Sequence, residues 1–370
     1  MAKRTVVFIV FIAVFLCPAF VFAVDTSAVD DVRRKTILNE QDQLTIDTFV
    51  SQAVSELRNT ENFSEIASAR VVVTSRSKSQ QESAQIQYGP YFFSSAGKHI
   101  KAALAELAQM PQSRRTEMVT LNFMILIDDL ANIELSKLAL DKTQDTDVTI
   151  RYWAVHALTN TKITEQLNSA ETDQVSAAEE YVGVLKKTAK NETCPDIIDL
   201  IAQFAANVKI PSAAELLEQI ADARIAKYAD WTVDGELLDA TVLKALCDKI
   251  QTDNSASAAL GRRFAQLYSY VIQRYILAGD SLGQEQKQVL VSVIVSCEKL
   301  LGRLIGDQVG GLERAIEKDK IINLTEEHDS LFGSDSVQGR LPLALNFDYG
   351  KKPDGSALTA SLKLQKQPVK

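Results

Sequence analysis

The chain has 370 residues, 40 basic against 48 acidic, and a formal charge of −8. That length allows two compact domains or one extended repeat array. The acid excess, with no basic run of useful length, argues against a nucleic-acid partner. At the start, Lys3 and Arg4 form a short positive region and Thr5 to Leu16 is unbroken apolar sequence. Val21-Phe22-Ala23 has the pattern of a small-residue cleavage site, and the chain turns polar at Asp25. Residues 1–23 are read as a signal peptide, which makes the mature chain secreted or periplasmic. The alternative is an uncleaved membrane anchor, since the apolar stretch just reaches bilayer length. Cleavage would remove Lys3 and Arg4 and no acid, leaving 38 basic against 48 acidic residues and a charge of −10.

Helical periodicity begins at Glu40–Asn59, where Ile46, Phe49, Val50, Ala53, Val54 and Leu57 recur on one face. Residues 66–95 are read as a continuing helix, a Ser/Gln-rich loop and an aromatic re-entry, or else a small β-hairpin, with Gly89-Pro90 as the break. Tyr88, Tyr91, Phe92 and Phe93 cluster there, either as interface anchors or as a cap on one end of a helical stack. Ile100 to Ala108 forms a further face before Pro111, and Glu117 to Leu130 is apolar enough to be central. Asp129 is the expected cap of the next helix. Further helices carry Val175 to Leu185, Ile197 to Val208 behind Pro195, and Leu217 to Tyr228 behind Pro211. Then come Leu238 to Leu246, Leu260 to Tyr275, Val289 to Leu304 and a short one near 312–320. After that periodicity fades, and 350–370 reads as a mobile tail.

The central stretch is DTDVTIRYWAVHALTN, residues 145–160. Asp147 suits a helix N-cap. Ile150, Trp153, Ala154, Ala157 and Leu158 share one face, and Val148, Tyr152 and Val155 the other, so the helix needs cover on two sides. Paired helices would begin near 147, 195, 234 and 284, a spacing close to the period of helix-pair repeats. Here D-x-D-V-x-I-R-Y-W-A-V-x-A-L resembles the second-helix signature of HEAT-like repeats over about one repeat. The resemblance implies a right-handed α-solenoid used for binding or scaffolding. It makes Asp145 or Asp147 the turn acid, Arg151 the ladder arginine that bridges turn aspartates, and Ala154, Ala157 and Leu158 core positions. Trp153 is expected to be packed. No second stretch repeats the pattern.

Catalytic and metal signatures are absent. The three histidines have no metal spacing: His99 at a helix start, His156 on a polar strip, His328 in an acidic loop. Glu326 to Asp329 reads as a solvated charge run, Asp128-Asp129 as a helix junction rather than a catalytic pair, and Gly310-Gly311 as a helix start. Cys194, Cys247 and Cys297 form no disulfide framework and are read as small buried hydrophobes. Asn62, Asn191 and Asn323 stand in glycosylation sequons.

The expectation is therefore an all-α chain, as an α-solenoid of antiparallel pairs or an irregular bundle. Its parts are the signal peptide 1–23, a helical region 24–95, a repeat domain 96–320 and an extension 321–370. Its expected function is non-enzymatic binding or scaffolding with no cofactor and no metal, toward another protein or an envelope component. The rivals are an enzyme with a site assembled from dispersed residues, and a membrane-tethered envelope protein if residues 1–23 remain.

Overall fold

The computed structural model describes residues 24–169, 172–278, 282–306 and 310–365. The signal-peptide reading of 1–23 falls outside the described residues. The fold is all-α: among the described residues there are 17 α-helices, one 3-10 helix and no strand. None of these helices is long and apolar enough to cross a membrane. The chain forms two compact units, 1–119 and 120–370.

The first unit holds α1 (Ser27–Arg33), α2 (Glu40–Asn59), α3 (Phe63–Thr74) and α4 (Glu82–Leu107). Helix α5 (Arg114–Leu130) starts in this unit and carries the boundary. In α2 the six apolar residues of the predicted face are buried, and they pack it against α1, α3 and α4. Asn39 and Asp42 close its first turn as a reciprocal capping box. The predicted break at Gly89-Pro90 does not occur, because α4 runs straight through it. Proline removes one helical hydrogen bond and frees the carbonyl four residues back. Pro90 and Ile86 both lie on the exposed side of α4, where water can take that carbonyl. On the other side Ala84, Tyr88, Phe92, Ala96 and Ile100 are buried at four-residue spacing and hold the helix to its neighbours.

The second unit continues through α6 (Ile133–Ser136), a 3-10 helix (Lys137–Gln144), α7 (Val148–Thr159), α8 (Thr161–Leu167) and α9 (Thr172–Asn191). Next come α10 (Pro195–Asn207), α11 (Pro211–Ala229), α12 (Leu237–Thr252), α13 (Ser257–Ala278) and α14 (Gln284–Ile305). The run closes with α15 (Gly311–Glu317), α16 (Ile321–Phe332) and α17 (Arg340–Leu345). Asn132, rather than Asp129, caps α6. Pro195 and Pro211 open α10 and α11, where a missing N–H costs nothing. Helices two apart in sequence, or three for α7 and α10, pack side by side. One row is α7, α10, α12 and α14; a second is α9, α11 and α13. The first row starts at residues 148, 195, 237 and 284, hence 47, 42 and 47 residues apart.

Charged side chains tie successive helices together at the edge where the turns lie. The Arg224 guanidinium of α11 donates to Asp239 of α12 at 2.7 and 3.0 Å, and the Tyr228 hydroxyl donates to the same carboxylate at 2.7 Å. Burial pushes the Asp239 carboxyl above the usual carboxylate range even with these donors on it. Arg274 of α13 reaches Glu236 at 3.0 Å and lies over the Tyr228 and Trp231 rings. Cys247 and Cys297 are unbridged and buried, as expected of small hydrophobes, and burial pushes their thiols up to about 11 and about 12. Cys194 is unbridged and half-buried at the start of α10.

The segment expected to be a mobile tail is docked as far as residue 365. Leu362 N donates to Gln266 Oε1 at 2.8 Å, and the Gln266 and Gln273 amides donate back to Leu362 O at 3.2 and 3.0 Å. Leu364 N donates to Gln273 Oε1 at 2.6 Å, and Trp231 Nε1 donates to Gln365 O at 2.9 Å. Ser361 meets Ser269 at 2.7 Å, and Ser269 also meets His328 Nε2 at 2.8 Å. Thus His328 is not in an acidic loop. It sits on the buried side of α16 with Leu324, Leu331 and Phe332, while its charged neighbours face outward.

Candidate functional site

The central stretch folds as α7, with Asp147 as its N-cap: Oδ1 accepts from Thr149 N at 2.7 Å and Ile150 N at 3.1 Å. Ile150, Ala154, Val155, Ala157 and Leu158 are buried. Tyr152 and Trp153 are only half-buried, so Trp153 is not the packed core residue expected. The two expected faces are split: Val155 of one is buried with Ile150, Ala154, Ala157 and Leu158 of the other, while Val148, Tyr152 and Trp153 reach the open side.

Arg151 is a bridging arginine with a different partner. Its Nη1 donates to the backbone oxygens of Asp145 and Thr146 at 2.9 and 3.1 Å, so the turn aspartates contribute carbonyls rather than carboxylates. The carboxylate is Glu192, at the end of α9, bound through Nε at 2.9 Å and Nη2 at 3.1 Å. The Asp145 carboxylate pairs instead with Lys142 at 3.0 Å. The Glu192 side chain is 2 % exposed, and it also accepts from Thr193 N and Cys194 N. Burial opposes its charge, but these donors outweigh burial and hold the carboxyl below the usual glutamate range. A carboxyl depressed in the fold contributes stability that is present above the unfolded value near 4.5 and lost as pH falls through the folded one. Arg151→Ala is expected to cost about 2–3 kcal/mol at neutral pH, as loss of a hydrogen bond to a charged group. It should also shrink the loss of stability on going from pH 6 to pH 3 in denaturant titrations.

Two clefts open along this turn edge. One includes Ile198, Ile220, Arg224, Lys227 and Asp234 in its lining. The other includes Gln144, Asp145, Arg151, Thr188 and Glu192. Their charges are already committed to one another: Lys227 holds Asp234 at 2.9 Å, Arg224 holds Asp239, and Arg151 holds Glu192. Neither cleft includes His156. Among the described residues no group of three or more His, Cys, Asp or Glu side chains is placed to hold a metal.

The open side of α7 has a different character. Tyr152, Trp153 and His156 form one aromatic cluster, with ring centroids 5.7 Å apart for Tyr152–Trp153, 5.1 Å for Trp153–His156 and 5.9 Å for Tyr152–His156. His156 Nδ1 lies 2.9 Å from Asp128 Oδ1, and Asn160 Nδ2 donates to the same oxygen at 2.8 Å. Asp128, in the last turn of α5 as the junction reading has it, thus faces His156 and Asn160 of the α7 end. The Asp128 carboxylate beside it holds the His156 imidazole above the usual histidine range against the effect of burial. The adjoining side of α10 adds Asp196 and Asp199. Partial burial, and then the charges of Asp196, Asp128 and Asp199, push the Tyr152 hydroxyl above the usual tyrosine range. This face combines exposed ring surface with negative charge and a fixed imidazole.

The other sequence candidates divide. Tyr88 and Phe92 are fully buried and stacked at 5.9 Å, and the Tyr88 hydroxyl donates to Arg76 O at 2.8 Å, so both are core of the first unit. Tyr91 is exposed and Phe93 half-exposed, which leaves two of the four to meet a partner. His99 lies inside α4, beside Asp47 at 3.0 Å. Gly310 caps α15, the helix start read from the sequence. A Ser269–His328–Asp329 grouping has hydrogen-bond distances of 2.8 and 3.0 Å, but Ser269 is completely buried and already engaged by Gln273 and Ser361. It is a polar knot under the docked segment, with no access for a substrate. Asp196, Asp199 and Glu192 escaped the sequence reading because packing between helices distant in sequence brings them beside α7, and Asp128 reads there only as part of a helix junction. The aromatic cluster was open to it, since positions 152 and 156 are one helical turn apart. The chain matches no protein-family model and no curated protein.

Proposed function

We propose that the protein is an exported, non-enzymatic helical-repeat scaffold that binds another protein or an envelope component through the open side of α7 and α10. One observation carries this reading: a half-exposed Tyr–Trp–His cluster sits on a row of side-by-side helices. Tyrosine and tryptophan are the side chains that dominate interface energetics, because they cover large areas with few torsions to freeze. The HEAT-like reading is supported by the 47-, 42- and 47-residue intervals within that row. In that scheme the 3-10 helix with α7, α9 with α10, α11 with α12, and α13 with α14 are the pairs. Rows of this kind offer extended faces by construction.

The test is capture of a partner from the native envelope by the mature chain. Trp153→Ala is expected to cost about 1 kcal/mol of stability, the ordinary size for a point change. That is well below the 3–5 kcal/mol of a buried aromatic. Tyr152→Ala should behave alike, and both variants should lose the partner while melting near wild type. Full retention by both would remove this face as the binding site. Export is tested by sequencing the N-terminus of protein from its own host, with Val24 expected first and Met1 or Ala2 pointing to an anchor.

A further inference from the structure

We propose that the partner of this face is a lysine- or arginine-rich protein segment; this rests on the binding reading above. Three features of the face select that chemistry. First, the Tyr152 and Trp153 rings are presented together, nearly perpendicular at 89°, so a long cationic side chain can lie on one ring against the edge of the other. Ring faces attract ammonium and guanidinium groups, and tryptophan does so most strongly. Second, apart from His156 itself, which Asp128 holds above the usual histidine range, the charges nearest them are acidic. Asp196 and Asp199 lie on the α10 side, and Asp128 and Asp129 at the end of α5 beside His156. An anionic ligand would meet four carboxylates there and an apolar one would strip their water. Third, these acids are not all consumed by neighbouring cations. Asp128 lies against His156 and accepts from Asn160, and among the described residues Asp199 accepts from the neutral Gln203 amide at 2.6 Å. The clefts at the turn edge differ here, since their acids are tied to arginine or lysine.

Aromatic faces and carboxylates then act on different parts of one ligand. The carboxylates attract the positive heads over distance and speed encounter. The rings cover the methylene stems once the segment is seated. Because both unit charges and stems are read, a compact cation such as Mg²⁺ fits the face poorly. The chain as a whole is acidic, and a purely collective attraction would be spread over the surface. The local claim is that loss of this face removes binding while loss of equal charge elsewhere does not.

The experiment uses the full mature chain and a fluorescent oligolysine peptide, with oligoglutamate and a Gly-Ser peptide as comparisons. Fluorescence anisotropy should show saturable binding of oligolysine alone, weakening steeply with salt. Trp153→Ala and the pair Asp196→Asn with Asp199→Asn should each weaken it about tenfold or more. The pair Asp31→Asn with Glu61→Gln, equal in charge and exposed in the first unit, should leave it unchanged. Equal weakening by both acid pairs would mean net charge alone, and absence of oligolysine binding would end the proposal outright. Binding of oligoglutamate or Gly-Ser at similar strength would also overturn it. Capture of the native partner separates the two levels. If Trp153→Ala abolishes capture but oligolysine never binds, the face is right and the cationic partner wrong. If Trp153→Ala captures normally, the binding reading itself fails.

Discussion

Asp239→Asn is expected to lower the stability of the second unit by about 3–5 kcal/mol, the largest single effect of a polar change in this chain. The carboxylate is fully buried, and three donors from Arg224 and Tyr228 converge on it at 2.7, 3.0 and 2.7 Å. An amide in its place offers one acceptor instead of two and removes the countercharge of a guanidinium that is itself buried. Leaving a buried arginine uncompensated is the costly outcome, whereas removing both partners together is far milder. The double variant Arg224→Met with Asp239→Leu should therefore recover much of the loss. For a unit of this size the single change corresponds to a melting shift of roughly 10 °C. A single variant that melts within a degree or two of wild type would show that the pair is not isolated from water.

Tyr268→Ala should be comparably damaging for a different reason. The ring is completely buried on α13, edge-on to Phe264 at 6.0 Å and Phe332 at 5.7 Å, and its hydroxyl donates to Ile294 O of α14 at 2.6 Å. Truncation leaves a cavity that neighbouring helices cannot close, at a cost of about 3–5 kcal/mol. Tyr268→Phe keeps the ring and removes only the hydroxyl, costing about 1 kcal/mol. The ratio between the two variants, read from denaturant midpoints, separates packing from hydrogen bonding. Near-equal losses would mean that the bond to Ile294 dominates.

The helices themselves were readable because their apolar faces are long and regular. Those of α2, α10, α11 and α12 lie where the periodicity puts them, and Pro195 and Pro211 mark their starts. The failure at Pro90 came from giving a local breaker more weight than the four-residue recurrence of Ala84, Tyr88, Phe92, Ala96 and Ile100 around it. His328 was missed similarly, since Glu326, Glu327 and Asp329 hid the turn-spaced Leu324, His328 and Phe332. What periodicity cannot supply is the neighbour. It gave α7 two apolar sides but not the boundary of the covered one, which takes in Val155 and leaves Trp153 at its rim. The HEAT-like resemblance implied a bridging role for Arg151 but not Glu192, 41 residues away.

The docked C-terminal segment has a consequence for the order in which the second unit can be completed. Gln266 and Gln273 find their partners 96 and 91 positions further along the chain. Closing loops of that length is entropically unfavourable and slow compared with pairing adjacent helices. During synthesis α13 must therefore wait, with Ser269 and both glutamines still hydrated, until residues 361–364 have emerged. The helix rows can assemble from local contacts as each pair appears, but the seal over α13 is a late event. Any interruption of the chain upstream of Ser361 leaves a polar strip on α13 that resembles the edge of an unfinished sheet, open to whatever extended chain is nearby.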